Sequence, residues 1–165
     1  MISLILIISF VLEGVFSNLV SSNSILFPLF TIVSLATIYP LFNKNKKMFY
    51  AYTAFVGVMY DIVYTNTPFI NTFSYLITAY MICLIYEYIT VSKFNIILIS
   101  IIVILFHQTV LYLLLCLFRY TTFNEVTLLT NLYSSLIVNV IYSFILFFIV
   151  QHIKKKRDYR YRNFI

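Results

Sequence analysis

The chain has 165 residues, of which 62% are hydrophobic and only 10% are charged, and its formal net charge is +6. Soluble domains are about half apolar and roughly a quarter charged. The composition therefore excludes an ordinary soluble domain, a disordered chain and a coiled coil. At about 20 apolar residues per spanning helix, the length allows six membrane spans with short loops, and we expect no separate catalytic domain.

The first three apolar runs are bounded by polar residues and cover residues 2–20, 25–42 and 48–64. The first run carries Glu13 near its middle, has no basic residue ahead of it and lacks a small-residue cleavage site. It therefore predicts a retained span rather than a signal peptide. Pro28 is predicted in the first turn of the second span, where a helix tolerates proline. The basic loop 43–47 separates the second and third runs.

The last three apolar runs cover residues 69–91, 94–118 and 126–150. All six runs are long and hydrophobic on nearly every side, which favours helices over barrel strands, where polar and apolar residues alternate. We predict an all-α integral membrane protein with a single six-helix domain over residues 1–153. A basic tail follows over residues 154–165.

The basic residues indicate the orientation of the spans. An even number of spans places both chain termini on one side of the membrane. That side would hold Lys44, Lys46, Lys47, Lys93 and the six basic residues of the tail, ten in all, against Arg119 alone on the other side. Basic residues concentrate on the cytoplasmic side, so we predict two cytoplasmic termini. Anionic lipid explains this charge better than nucleic acid does.

Two ionisable residues fall in the middle of predicted spans, Glu13 in the first and His107 in the fifth. A charge at the bilayer centre costs about 2.5–3.5 kcal/mol on insertion scales. Glu13 is either a proton or cation site or a buried carboxyl that is hydrogen-bonded to another helix, and we favour the second interpretation. His107 has no His, Cys or carboxylate one turn away, so we favour a packing role over a metal ligand or a proton relay.

Four further residues in or beside the spans have simple interpretations. Cys83 and Cys116 lie in apolar runs without CxxC spacing, so we interpret them as packing residues. Glu87 and Lys93 flank the predicted end of the fourth span, and we expect them to form a pair at the membrane interface.

One polar stripe starts at the end of the third span. Gly57 and Asp61 share a helix face, and the chain breaks shortly afterwards at residues 65–68. Polar side chains then recur at helical spacing in the fourth span: Asn71, Ser74, Tyr75 and Thr78. We predict that Asp61 and this stripe form one buried polar cluster that pins the hairpin between the two spans. The alternative is an interfacial Asp61 exposed to lipid headgroups.

A second stripe in the sixth span consists of residues spaced by four: Asn131, Ser135, Asn139 and Ser143. Inside a membrane these side chains need partners in the bundle, in another subunit or in a water-filled pocket. We favour an interface within the chain. The sequence has no phosphate-binding loop, no GxSxG, no HExxH and no GxGxxG, which argues against an enzyme and against a cofactor.

Residues 57–80 resemble the central signature of the MreD family, the rod shape-determining membrane proteins of bacteria. The matching residues are Gly57, Asp61, Pro68, Asn71 and the pair Ala79–Tyr80. The family commonly has Gly where Thr65 and Phe69 stand here.

The resemblance implies a fold similar to the six-helix substrate-binding subunits of energy-coupling-factor vitamin transporters. It also implies a non-enzymatic scaffold of the cell-elongation machinery, in the bacterial cytoplasmic membrane. The implied partners are an MreC-like bitopic protein, a RodA-like glycosyltransferase, a class B penicillin-binding protein and, indirectly, an MreB-like actin. By the same resemblance Asp61, Pro68 and Asn71 are partner-binding or structural positions, and Gly57 is a packing position.

Two alternatives come from other functional classes. The first is a vitamin-type binding subunit of a transporter, although residues 1–20 contain no Ala and so lack the Ala-x-x-x-Ala face on which such subunits dock their energising partner. The second is a lipid-handling protein in which the stripe from Asn131 to Ser143 lines a groove.

Overall fold

A computed structural model describes residues 2–20, 27–42, 45–65, 67–89 and 93–162. The protein is 88% helix and has no strand in these ranges, so the all-helical prediction is confirmed. Six helices are described: α1 (Ile2–Val20), α2 (Phe30–Ile38), α3 (Lys46–Val63), α4 (Ile70–Tyr88), α5 (Lys93–Leu117) and α6 (Glu125–Arg162). The predicted turn at residues 21–24 lies outside the described residues, as do residues 43, 44, 66 and 92 of the predicted loops.

Three of the six helices are long and apolar enough to cross a membrane: α1, α5 and α6. The 18-residue helix α3 carries Lys46, Lys47 and Asp61, which lower its apolar character. The 38-residue helix α6 measures about 57 Å at 1.5 Å per residue, well beyond the ~30 Å hydrocarbon layer. Its backbone continues as helix through the basic tail as far as Arg162.

The second predicted span begins later in the structure than expected. Its helix was expected to start before Pro28, but α2 starts at Phe30, and residues 27–29 are not helical. All nine residues of α2 are buried, and the helix contacts α1, α4, α5 and α6. A helix that is apolar on every side is stable when other helices surround it, so α2 forms the centre of the bundle.

The short α2 crosses the bundle with the help of irregular backbone at both ends. The 3₁₀ turn Tyr39–Phe42 extends it in one direction, and residues 27–29 precede it in the other. Non-helical backbone at membrane depth is stable only where protein groups satisfy its N–H and C=O groups. One such bond runs from the Phe27 N–H to the Ser134 carbonyl of α6 at 3.3 Å.

The helices alternate in direction, so the bundle has two distinct ends. At the end that we call distal, α1, α3 and α5 finish while α2 and α6 begin, and residues from these five regions line a common cavity. At the opposite, proximal end, the Ser3 hydroxyl lies 3.1 Å from the Tyr52 hydroxyl. Lys46 pairs there with Glu87. Glu87 was expected to pair with Lys93, whose side chain lies outside the described residues.

Candidate functional site

The start of α4 is capped by a carboxylate from the preceding helix. The N-cap residue Phe69 makes no side-chain capping bond. Instead, Oδ1 of Asp61 accepts hydrogen bonds from the Asn71 N–H and Nδ2, both at 3.0 Å. Oδ2 accepts from the Thr72 N–H at 2.9 Å and from its hydroxyl at 2.6 Å. A carboxylate at this position satisfies free N–H groups and interacts favourably with the helix dipole.

The turn before α4 is held by the same network. The Asn71 amide also donates to the Thr65 hydroxyl at 3.0 Å and lies 3.4 Å from the Thr67 hydroxyl. Pro68 is exposed in this turn. Phe69 follows with φ at 64°, in the left-handed region that favours glycine. The structure thus explains why glycine would suit position 69, and it leaves a phenylalanine there in a strained conformation.

Gly57 allows α3 and α4 to approach closely, one turn before Asp61. A Cβ atom added to Gly57 would lie 2.8 Å from the Thr72 Cα and 3.3 Å from the Tyr75 Cβ. The first contact is with backbone, which cannot move without shifting the whole helix. The close approach at Gly57 therefore brings the start of α4 within reach of the Asp61 carboxylate.

Ser74 and Thr78 do not join Asp61, so the single predicted cluster is in fact two. Both hydroxyls contact Nδ1 of His107 in α5, at 3.2 Å and 3.0 Å. The Thr78 hydroxyl donates its proton to the Ser74 carbonyl at 2.7 Å, so Nδ1 carries the proton in its contact with Thr78. Nε2 then faces the protein interior without a hydrogen-bond partner among the described residues.

Metal-ligand chemistry has no support in the described part of the chain. No group of three or more His, Cys, Asp or Glu residues that could hold a metal occurs there. Cys83 is buried and Cys116 is half-buried, and both are free thiols. His107 therefore has hydroxyl neighbours rather than metal-ligating ones.

Asn139 of α6 holds the irregular segment that precedes α2. Its Oδ1 accepts from the Leu29 N–H at 2.7 Å, and its Nδ2 donates to the Phe27 carbonyl at 2.8 Å. These two backbone groups flank Pro28, which has no N–H of its own. The amide of Asn139 thereby bonds this segment much as a neighbouring strand would.

Glu13 of α1 caps the same helix start from the other side. Its Oε2 accepts from the Thr31 N–H at 2.8 Å and from the Thr31 hydroxyl at 2.6 Å. Thr31 is the second residue of α2, a usual donor to an N-terminal cap. Glu13 is 2% exposed. Its Oε1 is buried without a hydrogen bond of normal geometry among the described residues, although the Tyr60 phenol is close enough to the carboxyl group to form one.

The other members of the α6 stripe have different surroundings. Ser135 donates to the Leu132 carbonyl of its own helix at 2.9 Å, and Ser143 has no partner among the described residues. Asn131 lines the distal cavity. Ser135, Asn139 and Ser143 are all 0% exposed, so these three do not line an open groove, and the lipid-handling alternative stays a prediction.

One buried polar contact escaped the sequence analysis. The Ser9 hydroxyl of α1 lies 2.7 Å from the Tyr142 hydroxyl of α6 and also contacts the Ser34 hydroxyl of α2. Ser9 lies one turn before Glu13 in α1, and Ser34 lies three positions after Thr31 in α2. This helical spacing is a signal that could have identified both residues. Thr31 and Thr72 were also missed, although a Ser or Thr near the start of a helix is a known capping signal.

The distal cavity has a volume of about 370 Å³. Glu13 lines it, together with the polar side chains of Ser17, Tyr60, Gln108 and Asn131. Apolar walls come from Phe27, Leu111 and Leu115. None of the described residues that line the cavity is Lys or Arg.

An all-helical bundle with three helices long and apolar enough to cross a membrane has the features of an α-helical membrane protein. The family model described as rod shape-determining protein MreD matches residues 1–157 of the 165. The chain therefore belongs to the MreD family and has a role in determining rod shape. This is not a known enzyme family. No curated protein and no solved structure matches the chain significantly.

Proposed function

We propose that the chain is a non-enzymatic scaffold subunit of the machinery that synthesises lateral peptidoglycan. Membership of the MreD family, over nearly the whole chain, is the observation that carries the proposal. In this role the chain binds an MreC-like bitopic protein. Through it the chain joins a RodA-like glycosyltransferase and a class B penicillin-binding protein, and it is linked indirectly to an MreB-like actin.

The proposal includes a topology in the bacterial cytoplasmic membrane. Six spans with both termini in the cytoplasm place ten basic residues inside and one outside, as basic residues are usually distributed. The alternating helix directions and the proximal position of Lys46 are consistent with this arrangement. Residues 1–153 then form the membrane domain, similar in fold to the substrate-binding subunits named above. Residues 154–165 form the cytoplasmic tail, whose basic residues contact anionic lipid.

The exposed face of α1 suggests where a single-span partner docks. The helix packs mainly against α2. Its other side exposes Leu4, Ile8, Val11, Val15 and Leu19. The spacing of these residues alternates between four and three for most of the helix, a pattern that lets two helices pack along their length. Helix α6 also exposes apolar residues at this spacing, among them Tyr133, Ile137 and Ile141. We propose the α1 face as the site of the MreC-like partner's membrane helix, with the α6 face as the competing site.

A bulky substitution tests this assignment. Val11→Trp changes the α1 face, and the matched control Ile141→Trp changes an equally apolar site on α6, where 60% of the side chain is exposed against 53% at Val11. Each variant is purified in mild detergent from the native membrane, and retained proteins are quantified by mass spectrometry. We expect Val11→Trp to lose the MreC-like protein and Ile141→Trp to keep it. Equal retention by both variants would contradict docking on α1.

A vitamin-type binding subunit of a transporter is the second candidate, because the distal cavity could hold a small molecule. The same co-purification separates the two candidates. An MreC-like protein with wall-synthesis enzymes supports the scaffold. An ATPase-linked membrane partner supports the transporter subunit.

A further inference from the structure

The two oxygens of the Glu13 carboxyl group are used unequally. Oε2 accepts two hydrogen bonds from Thr31, whereas Oε1 is buried with none from the described residues. If the carboxyl is ionised, Oε1 needs a donor or a cation. If it is protonated, Oε2 is the acceptor oxygen and Oε1 carries a proton that needs an acceptor. The Tyr60 phenol can form one hydrogen bond with the carboxyl group. In the ionised state, however, no cation among the described residues balances the charge, so a cationic partner is missing.

That partner can come from the distal cavity, which Glu13 lines. The described residues of the cavity lining include no Lys or Arg. The only ion pair among the described residues joins Lys46 to Glu87 at the proximal end. Buried charges in proteins are paired as a rule. The Tyr60 phenol can donate one hydrogen bond but cannot neutralise a carboxylate.

The remaining walls of the cavity suit an organic cation. The aromatic rings of Phe27, Tyr60, Tyr64 and Tyr112 line it, and aromatic rings attract cations. The side-chain oxygens of Gln108 and Asn131 are further acceptors in the lining. The volume of about 370 Å³ falls in the lower part of the range for small-ligand pockets.

We propose that the distal cavity binds a primary ammonium group, whose charge is balanced by the carboxylate of Glu13. The ammonium can belong to a small soluble amine or to the headgroup of phosphatidylethanolamine at the membrane interface. This activity goes beyond the scaffold role and does not depend on it.

The first test uses ethanolamine as the soluble probe. The full chain is reconstituted in phosphatidylcholine nanodiscs, which contain no primary amine, and ethanolamine is titrated by calorimetry. We expect wild type to bind ethanolamine. Glu13→Gln keeps an acceptor oxygen for Thr31 but removes the charge, and it should weaken binding at least about tenfold, as expected for a lost charged hydrogen bond. Glu87→Gln, an exposed carboxylate at the proximal end, should bind like wild type.

A second variant keeps the test valid if Glu13→Gln does not fold. Ser17 is exposed and lines the cavity, so Ser17→Phe fills part of the cavity without disturbing the core. We expect it to abolish ethanolamine binding.

The lipid source is tested by native mass spectrometry. Wild type and Ser17→Phe are released from nanodiscs with equal amounts of phosphatidylethanolamine and phosphatidylcholine. Selective retention of the ethanolamine lipid by wild type alone assigns the headgroup as the ligand, and ethanolamine binding without it assigns a soluble amine.

Two results would overturn the inference. One is the absence of binding by either amine, which would leave water as the only occupant. The other is unchanged binding in folded Glu13→Gln or in Ser17→Phe. Neither result bears on retention of the MreC-like protein, so the proposed function is tested separately.

Discussion

The starts of two helices are each capped by a carboxylate from another helix, and the two carboxylates form different sets of hydrogen bonds. Asp61 caps α4 with both oxygens, which accept bonds from Asn71 and Thr72. Glu13 caps α2 with one oxygen, which accepts bonds from Thr31 alone. Asp61 is half-buried, whereas Glu13 is almost fully buried.

This difference indicates a structural role for Asp61 and a ligand-binding role for Glu13. A carboxylate with both oxygens occupied by its own chain has little capacity left for a ligand. Glu13 satisfies only one backbone N–H of α2, and the irregular segment before α2 needs Asn139 as a second support. We infer that Asp61 stabilises the hairpin, whereas the Glu13 carboxyl group, which lines the distal cavity, retains a charge that no cation of the described chain balances.

Removal of Asp61 is expected to have the largest effect on stability. Asp61→Ala leaves two N–H groups at the start of α4 without a partner and removes four hydrogen bonds to a charged group. We expect a loss of about 3 kcal/mol in the free energy of unfolding. Asp61→Asn keeps one acceptor oxygen and should lose about half as much. Unfolding in mixed detergent–SDS micelles measures both.

Glu87→Ala is the matched control for Asp61→Ala, because its carboxylate forms an exposed ion pair with Lys46. Exposed pairs contribute little to stability. The same two variants test the scaffold, since the hairpin of α3 and α4 should support partner assembly. Equal stability and equal retention of the MreC-like protein in both variants would show that Asp61 has no special role.

The contrast between the two caps also explains what the sequence could predict. Asp61 and Asn71 are ten positions apart across one turn, so the local pattern places them together. Asn139 and Leu29 are 110 positions apart, and their contact depends on which helices become neighbours. For the same reason the sequence did not predict the contact of Ser74 with His107 or the late start of α2. Apolar runs predicted the bounds of α1, α3, α4 and α5 to within three residues, because hydropathy is a property of each segment alone. They did not predict that α6 continues through the basic tail to Arg162.

Asn139→Ala tests the support of α2 from the α6 side. It leaves the Leu29 N–H and the Phe27 carbonyl without their partner in a buried segment, so we expect a loss of about 2–3 kcal/mol. Asn131 belongs to the same stripe but lines the distal cavity. Asn131→Ala should therefore lower the free energy of unfolding by less than about 1 kcal/mol. Similar losses for the two variants in the same unfolding assay would contradict the specific role of Asn139.

The two glycines of the chain allow a direct comparison of the two carboxylate regions. A Cβ atom at Gly57 meets the backbone of Thr72, whereas one at Gly14, beside Glu13, meets the end of the Tyr64 side chain. Gly57→Ala should therefore cost about 2 kcal/mol, because α3 and α4 must separate. Gly14→Ala should cost about 1 kcal/mol, because the Tyr64 side chain must move and give up its hydrogen bond to the Phe10 carbonyl, a loss that the helix preference of alanine partly offsets. A larger loss of unfolding free energy for Gly14→Ala than for Gly57→Ala would indicate that the rigid contact is the one at α1.

Substitution of Phe69 should have the smallest effect on the free energy of unfolding, and it is the only substitution expected to increase stability. Its φ of 64° is strained for a residue with a Cβ atom, and its side chain is 62% exposed, so little packing is lost on truncation. Phe69→Gly should stabilise the protein by about 0.5–1 kcal/mol, part of the gain being offset by the greater freedom of glycine in the unfolded chain. Phe73→Gly, four residues later and also exposed, lies inside α4 and should destabilise by about 1 kcal/mol. Opposite signs for these two substitutions would establish that the Asp61 network holds the turn against backbone strain, because a relaxed turn would lose stability in both variants.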